Sequence, residues 1–479
     1  MNVLARAEDR RRAVLESFDG TNQADRGQFF TPVPVARIMA SIPDLPAAGD
    51  LRLLDPGAGS GVLTAAVVDR VRRDMPDLTV SVTAVEADPA LLGPLGATLA
   101  DCRGAGASTA LVHDDFVTWA LGTRERFDLV IQNPPYRKLR SGSGTDAGLR
   151  RAGIAVPNIY SAFMALGYRL LRRGGQQVSI TPRSWMNGPY YGTFRREFLR
   201  HVRIDSIHTF GSRSKVFGDM GVLQESVIVC GTAGKAPDPV LLRSSHDHND
   251  ETRERLVPYE DVVTPDFVFI PASERDSEAV AWMHCVEHTL DDLGLAVSTG
   301  RVVDFRSRDL LLPEAGRSRT PMIYPANIKD MAVVHPRPEV RKPQWFEADA
   351  MTCAKLLVAA GSYVLVKRFS AKEERRRIVA AVWDGERAPA FDNKLNYLHE
   401  GGRGIDPVLA RGLAMWLNST RVDDYFRVFS GHTQVNATDL RRMRFPSREQ
   451  LIGLAGSGTD ADIDEAVERV VGRGEVLTA

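Results

Sequence analysis

A doubly wound α/β domain over residues 1–271, followed by a mixed α/β domain over 272–479, is the fold class this sequence predicts. Three observations carry the reading. Four short apolar runs, Leu51–Leu54, Thr79–Val85, Leu111–Val112 and Asp128–Ile131, alternate with helical patterns in the first half of the chain, as a parallel sheet wound with helices requires. Each run ends in polar or acidic residues, and the first opens into the glycine-rich turn Asp55-Pro56-Gly57-Ala58-Gly59-Ser60-Gly61. Behind residue 271 the pattern changes to short strands (Ser362–Lys367, Arg377–Trp383) set among loops.

Composition narrows the class. Apolar content of 43% and charged content of 25% are those of a water-soluble globular chain. The opening residues form a charged helix pattern over 1–20 rather than a secretory signal, and no apolar run approaches a membrane span. Cys102, Cys230, Cys285 and Cys353 are scattered without a Cys-x-x-Cys pair, which suits the cytoplasm and argues against structural zinc. The net charge of zero hides a segregation. Residues 151–235 carry 12 Lys/Arg against 4 Asp/Glu and 301–450 carry 26 against 18, whereas 236–300 carry 4 against 14. Two basic blocks separated by an acidic connector are a distribution that binding to nucleic acid needs, although solvated surface charge gives it equally well.

Taken in order, Gly27-Gln28-Phe29-Phe30-Thr31-Pro32 leads into a helix whose apolar face is Val35, Ile38, Met39 and Ile42. Thr31 followed by Pro32 reads as a cap and first turn. After strand 51–54 the glycines are spaced Gly-x-Gly-x-Gly and follow an acid, Asp55. A pyrophosphate would be repelled there and an ammonium- or sulfonium-bearing ligand attracted, which favours S-adenosylmethionine over a dinucleotide. The next strand ends in Glu86, placed to hold a ribose diol, and the third in Asp114-Asp115-Phe116, an acid and an aromatic suited to an adenine edge and face.

The fourth strand ends in Gln132-Asn133-Pro134-Pro135-Tyr136. Two prolines stiffen the backbone and keep Asn133 extended. The Asn133 amide and the Pro134 carbonyl are then two preorganised acceptors beside the Tyr136 ring. That trio suits a planar base bearing an exocyclic NH2. Residues 137–157 read as a mobile loop, Asn158 to Leu171 as a helix stopped by Gly174-Gly175, and Gln177–Ile180 as a strand. Phe217, in the Gly-containing stretch Lys215–Asp219, is a candidate for stacking. In the second domain, amide, hydroxyl and basic side chains gather in Phe391–Asn396 and Phe429–Asn436, the residue types that read base edges. Lys394, Asn396, His432, Thr433, Gln434 and Asn436 are the candidates there.

The order of these pieces (the Thr31-Pro32 helix start, the glycine turn, the Glu86 and Asp115 strand ends, Asn133–Tyr136, then Asn158–Phe163 and a separate C-terminal domain) resembles the amino-adenine DNA methyltransferases of the gamma arrangement, which are TaqI-like, and is closer to the BsuBI/PstI type than to TaqI itself. The resemblance spans nearly the whole chain. It implies a Rossmann-like S-adenosylmethionine-dependent domain, a C-terminal target-recognition domain, and methyl transfer to adenine N6 in flipped-out duplex DNA. By the same resemblance Asn133 and Pro134 would grip N6, Tyr136 and Phe217 would stack on the base, and Thr31, Asp55, Gly57, Gly59, Glu86, Asp115, Phe116 and Asn133 would line the cofactor. A cognate restriction endonuclease would act separately. The same catalytic motif also serves enzymes that methylate RNA or a protein glutamine, and an inactive specificity subunit could share the scaffold. The large C-terminal domain and the intact Asn133–Tyr136 motif count against these.

Overall fold

The computed structural model describes residues 2–17, 30–210, 226–234, 236, 238–245, 252–370, 374–430, 434–457 and 463–472. Phe217, His432 and Thr433 lie outside the described residues, as do Gln28 and Phe29. The chain divides into two compact units, Met1–Ala272 and Ser273–Ala479.

In the first unit, helix α1 (Val3–Ser17) and helix α2 (Val33–Ser41) precede an alternating series: β1 (Ala48–Pro56), α3 (Val62–Asp74), β2 (Asp77–Glu86), α4 (Pro89–Gly104), β3 (Ser108–His113), α5 (Phe116–Gly122) and β4 (Phe127–Gln132). Helices α6 (Gly144–Arg151) and α7 (Ile159–Arg169) lead to β5 (Leu171–Pro182). Then come α8 (Ser184–Asn187), α9 (Gly192–His201), β6 (Val202–Phe210), β7 (Ser226–Ala233), β8 (Val240–Ser245) and β9 (Arg253–Val257). The nine strands form one sheet in the order β3-β2-β1-β4-β5-β7-β6-β8-β9. Strands β3 to β5 in that order are parallel, and β7 runs antiparallel to β5.

Alternation along the strands explains why both faces are covered. Leu53 and Leu129 point to the face packed by Val35, Met39, Val67 and Leu99, while their neighbours Leu54 and Val130 point to the face packed by Phe116, Phe163, Trp185 and Phe198. A sheet buried on both sides and wound in this order is the predicted doubly wound class.

Three local expectations need correction. The stretch 137–157 is not a featureless loop, because it contains α6. Ser143 caps that helix by accepting from Asp146 N, Asp146 pairs with Arg150 at 3.0 Å, and Leu149 is buried. The helix begun at Asn158 ends at Arg169, and Gly174-Gly175 lie inside β5 rather than stopping a helix. Asn396 does not offer its amide to a base. It is buried, accepting from Thr299 Oγ1 at 3.0 Å and donating to the Val435 carbonyl at 2.8 Å.

Among its described residues the second unit holds two sheets, of six and four strands. Strands Ala296–Thr299, Leu395–His399, Gly361–Lys367 and Ala380–Gly385 are adjacent in the larger one. Helices Pro407–Leu417 and Arg448–Gly456 pack tightly through Gly412, where an added Cβ would stand 1.8 Å from the Leu451 carbonyl oxygen. Gly412→Ala is therefore expected to destabilise this unit by about 1–3 kcal/mol or more, through overpacking against backbone. Chemical denaturation followed by fluorescence checks it, and an unchanged midpoint would remove the argument. Among the described residues no helix is long and apolar enough to cross a membrane.

Candidate active site

Strands β1 and β4 pair directly, Leu53 with Leu129 and Leu54 with Val130. Since the chain leaves β1 toward β2 on one side and β4 toward β5 on the other, the loops after β1 and β4 diverge and open a crevice at their carboxyl ends. A cavity of about 430 Å³ occupies that crevice. Its size lies in the range of small-molecule sites.

The glycine turn makes one wall. Gly57, Gly59 and Gly61 have φ of +66°, +58° and +85°, conformations a side chain would strain. The turn is pinned at Gly57 N and Ala58 N, which donate to the Val85 carbonyl at 2.9 and 3.0 Å. A Cβ on Gly57 would reach within 3.3 Å of the Phe163 ring, and one on Gly59 within 3.5 Å of Phe30. Both rings line the cavity, so these glycines keep the space between backbone and aromatic open.

Glu86 lines the cavity from the end of β2. One carboxylate oxygen accepts from Gly59 N at 2.8 Å and the other from Asp88 N at 2.8 Å. Burial raises its pKa, and these backbone bonds offset part of the rise. Glu86 thus ties the glycine turn to the next loop while presenting a carboxylate inside. Asp115 caps α5 by accepting from Thr118 N at 3.0 Å and also lines the cavity. Phe116 follows it, buried, with its ring 4.6 Å from that of Phe163.

Asn133 faces this wall across the crevice. Its Nδ2 donates to Thr31 Oγ1 at 3.0 Å, which turns the amide oxygen away from Thr31. The Thr31 hydroxyl makes no cap for α2, contrary to the local reading. A contact across 102 residues took it instead. Tyr136 OH donates to the Ile180 carbonyl at 3.2 Å, and its ring meets Tyr160 edge-on at 6.2 Å. Pro135 lines the cavity, and Pro134 beneath it is buried.

Asp55 is placed otherwise than expected. It is buried, absent from the cavity lining, and its Oδ2 accepts from both Thr64 N (3.2 Å) and Thr64 Oγ1 (2.7 Å). Its work is to hold the start of α3 behind the glycine turn. Burial pushes its carboxyl up to about 7 from an ordinary 3.8. An acid whose folded pKa is raised stabilises the fold below the unfolded value and loses that contribution as pH climbs through the folded one. The protein should therefore lose stability between pH 3.8 and about 7 through this residue. Asp55→Asn should remove that slope, its advantage over the wild type growing across the window and levelling above it. Denaturation midpoints measured against pH test this, and parallel curves would refute it.

Phe30, Asp88, Arg137 and Phe163 line the cavity although the sequence reading gave them no site role. Phe163 could have been inferred from its place on a helix opened by the Asn158 cap, which accepts from Ser161 N at 3.1 Å. In the second unit Lys394 reaches Asp304 at 3.2 Å with its side chain 41% exposed. Asn436 turns back on its own helix, donating to Asp439 from both its backbone and its amide. Gln434 is half-buried beside Phe369. Among the described residues no cluster of three or more His, Cys, Asp or Glu could hold a metal.

Residues 104–217 match the family model described as Eco57I restriction-modification methylase. The type II methyltransferase M.PstI of Providencia stuartii is 35% identical, over 96% of this chain and 95% of its own. The type II methyltransferase M.BsuBI of Bacillus subtilis is 39% identical, over 90% of each. Among solved structures, the type IIL restriction-modification enzyme MmeI in complex with DNA shares the fold with a TM-score of 0.54, covering 88% of this chain and 70% of that one at 11% identity.

Proposed function

The chain belongs to the type II methyltransferases of restriction-modification systems, and from that premise we propose that it transfers a methyl group from S-adenosylmethionine to N6 of an adenine flipped out of duplex DNA. The observation that carries the adenine reading is that Asn133 and Pro135, on either side of the buried Pro134, line the same cavity as the glycine turn. The cofactor fits the residues present: left-handed glycines leave room that a Cβ would take, Glu86 presents a carboxylate suited to a ribose diol, and Asp115 with Phe116 suits an adenine.

When bound, S-adenosylmethionine supplies an electrophilic methyl carried on sulfonium. The chain's own part is to make a poor nucleophile competent. Adenine N6 has its lone pair delocalised into the ring. Two acceptors, the Asn133 amide oxygen and the Pro134 carbonyl, would draw its two hydrogens out of plane and direct the lone pair across the crevice. The same acceptors stabilise the positive charge on N6 until it sheds a proton to solvent water. Thr31 fixes which way the Asn133 amide faces, and the Tyr136 hydroxyl, tied to Ile180, fixes the ring on which the base stacks.

A paired adenine hides N6, so the base must leave the helix at a cost of a few kcal/mol. Stacking contributes about 1–3 kcal/mol per aromatic; Tyr136 supplies one such ring, and Phe217 is proposed as a second. Residues 1–271 are assigned the chemistry and residues 272–479 the reading of sequence, with Lys394 and Gln434 as candidate contacts. A separate endonuclease would cut the same sequence when unmethylated. The reaction belongs in the cytoplasm, in keeping with four free cysteines. Methylation-sensitive sequencing of DNA from cells expressing the protein should find N6-methyladenine confined to one sequence context. Modified cytosine, or unmodified DNA, would overturn the assignment.

A further inference from the structure

Tyr190 is the single exposed aromatic among the described residues of the first unit, at 84% exposure. Every other described aromatic there is buried or half-buried. A single exposed ring is ordinary on a protein surface, so its surroundings decide whether it is incidental. Here they are closely packed and hydrogen-bonded. Tyr190 sits in the short turn Pro189–Tyr191 beyond the carboxyl end of β5, the strand parallel and adjacent to β4. It therefore rises from the same rim of the sheet as Asn133.

Its neighbours are locked from both sides. Gly188 is packed so closely that a Cβ would stand 2.4 Å from the Ser184 carbonyl and 2.8 Å from the Tyr191 ring. The buried Arg195 holds the turn from below, donating to the Trp185 carbonyl at 2.7 Å and to the Gly188 carbonyl at 3.3 Å. Tyr191 accepts from Asn158 Nδ2 at 2.7 Å and stacks on Tyr160 at 5.8 Å, and Tyr160 meets Tyr136 edge-on. An unbroken series of rings thus runs from the base-stacking tyrosine to the residue beside Tyr190. The turn packs Tyr191, half-buried, against Tyr160 and projects the residue before it, Tyr190, into solvent.

We propose that Tyr190 enters the duplex beside the target adenine, stacking on a base exposed by its withdrawal and so holding the flipped state. The inference deepens the adenine reading and rests on it. A ring held out on a closely packed turn is placed to stack, and apolar wedges hold base steps apart in DNA-bending proteins. The ring rather than the hydroxyl does the work, so Tyr190→Phe should behave as the wild type.

The test uses the full chain and a duplex bearing the recognition sequence found by sequencing. With 2-aminopurine at the target position, wild type and Tyr190→Phe should raise its emission on binding, and Tyr190→Ala should lose most of that rise. On the paired duplex Tyr190→Ala should lose roughly tenfold or more in kcat/KM. On a duplex whose target adenine faces an abasic site, where there is little pairing to break, it should stay within about twofold of wild type. Unchanged S-adenosylmethionine binding by Tyr190→Ala excludes misfolding as the cause. Equal losses on both duplexes, or a normal emission rise in Tyr190→Ala, would overturn the proposal and leave the adenine reading intact. A wild-type protein that leaves the target base stacked and unmethylated would overturn both.

Discussion

Asn133→Ala is expected to abolish methyl transfer while S-adenosylmethionine and DNA still bind. Removing one preorganised hydrogen-bonding group from a charge-stabilising site costs about 10²–10³ in kcat. In the proposed mechanism the amide also directs the nucleophile's lone pair, so the loss should reach at least that range. The substitution leaves the Pro134 carbonyl and the Tyr136 ring in place. Thr31 loses the donor it held at 3.0 Å but lies at the cavity wall, where water can replace it. A single-turnover assay separates the outcomes: binding retained with transfer gone supports the role, and normal turnover in the mutant would dismiss it.

Glu86→Ala carries the second large effect, on affinity rather than on the chemical step. The carboxylate has two structural donors, Gly59 N and Asp88 N, besides its place in the cavity wall. Its loss removes the proposed ribose partner and leaves two backbone N–H groups to find other acceptors, each at a cost of about 1–3 kcal/mol if left unsatisfied. The expected result is a weakening of S-adenosylmethionine binding by about 10²-fold or more, measurable by calorimetry. Glu86→Gln should lie between, because its amide oxygen can still accept from one N–H. An affinity within twofold of wild type in Glu86→Ala would show that the cofactor does not touch this wall.

What could be read ahead of the structure was whatever the local backbone chemistry enforces. Gly57, Gly59 and Gly61 announce positive φ, Pro134-Pro135 announces a stiff extended exit, and strands buried on both faces show as apolar runs. Their order along the chain then puts Glu86, Asp115 and Asn133 at one rim, which is how the crevice was legible. What failed was decided by distant partners. Thr31 looked like a cap because capping is a local reading, and the Asn133 amide that claims its hydroxyl stands 102 residues away. Asp55 looked like a ligand because nothing nearby says that Thr64 will fold back onto it.

Asn396 misled for a related reason. All five residues of Leu395–His399 are buried, so the strand shows no alternation, and a polar side chain within it reads as a loop residue. The helix Gly144–Arg151 hid behind a glycine- and serine-rich composition although Ser143, Asp146 and Arg150 carried its cap and its ion pair. In each case the residue type was informative, and the missing knowledge was which neighbour would be brought to it.

The central claim is that a carboxamide and a peptide carbonyl at the end of β4 present an exocyclic purine amine to the cofactor's methyl. Its most direct test is to incubate purified protein, duplex DNA and methyl-labelled S-adenosylmethionine, digest the DNA to nucleosides, and locate the label. The account predicts label in N6-methyl-2′-deoxyadenosine with the wild type and none with Asn133→Ala. Label on cytosine, or label on adenine that survives the loss of Asn133, would contradict it.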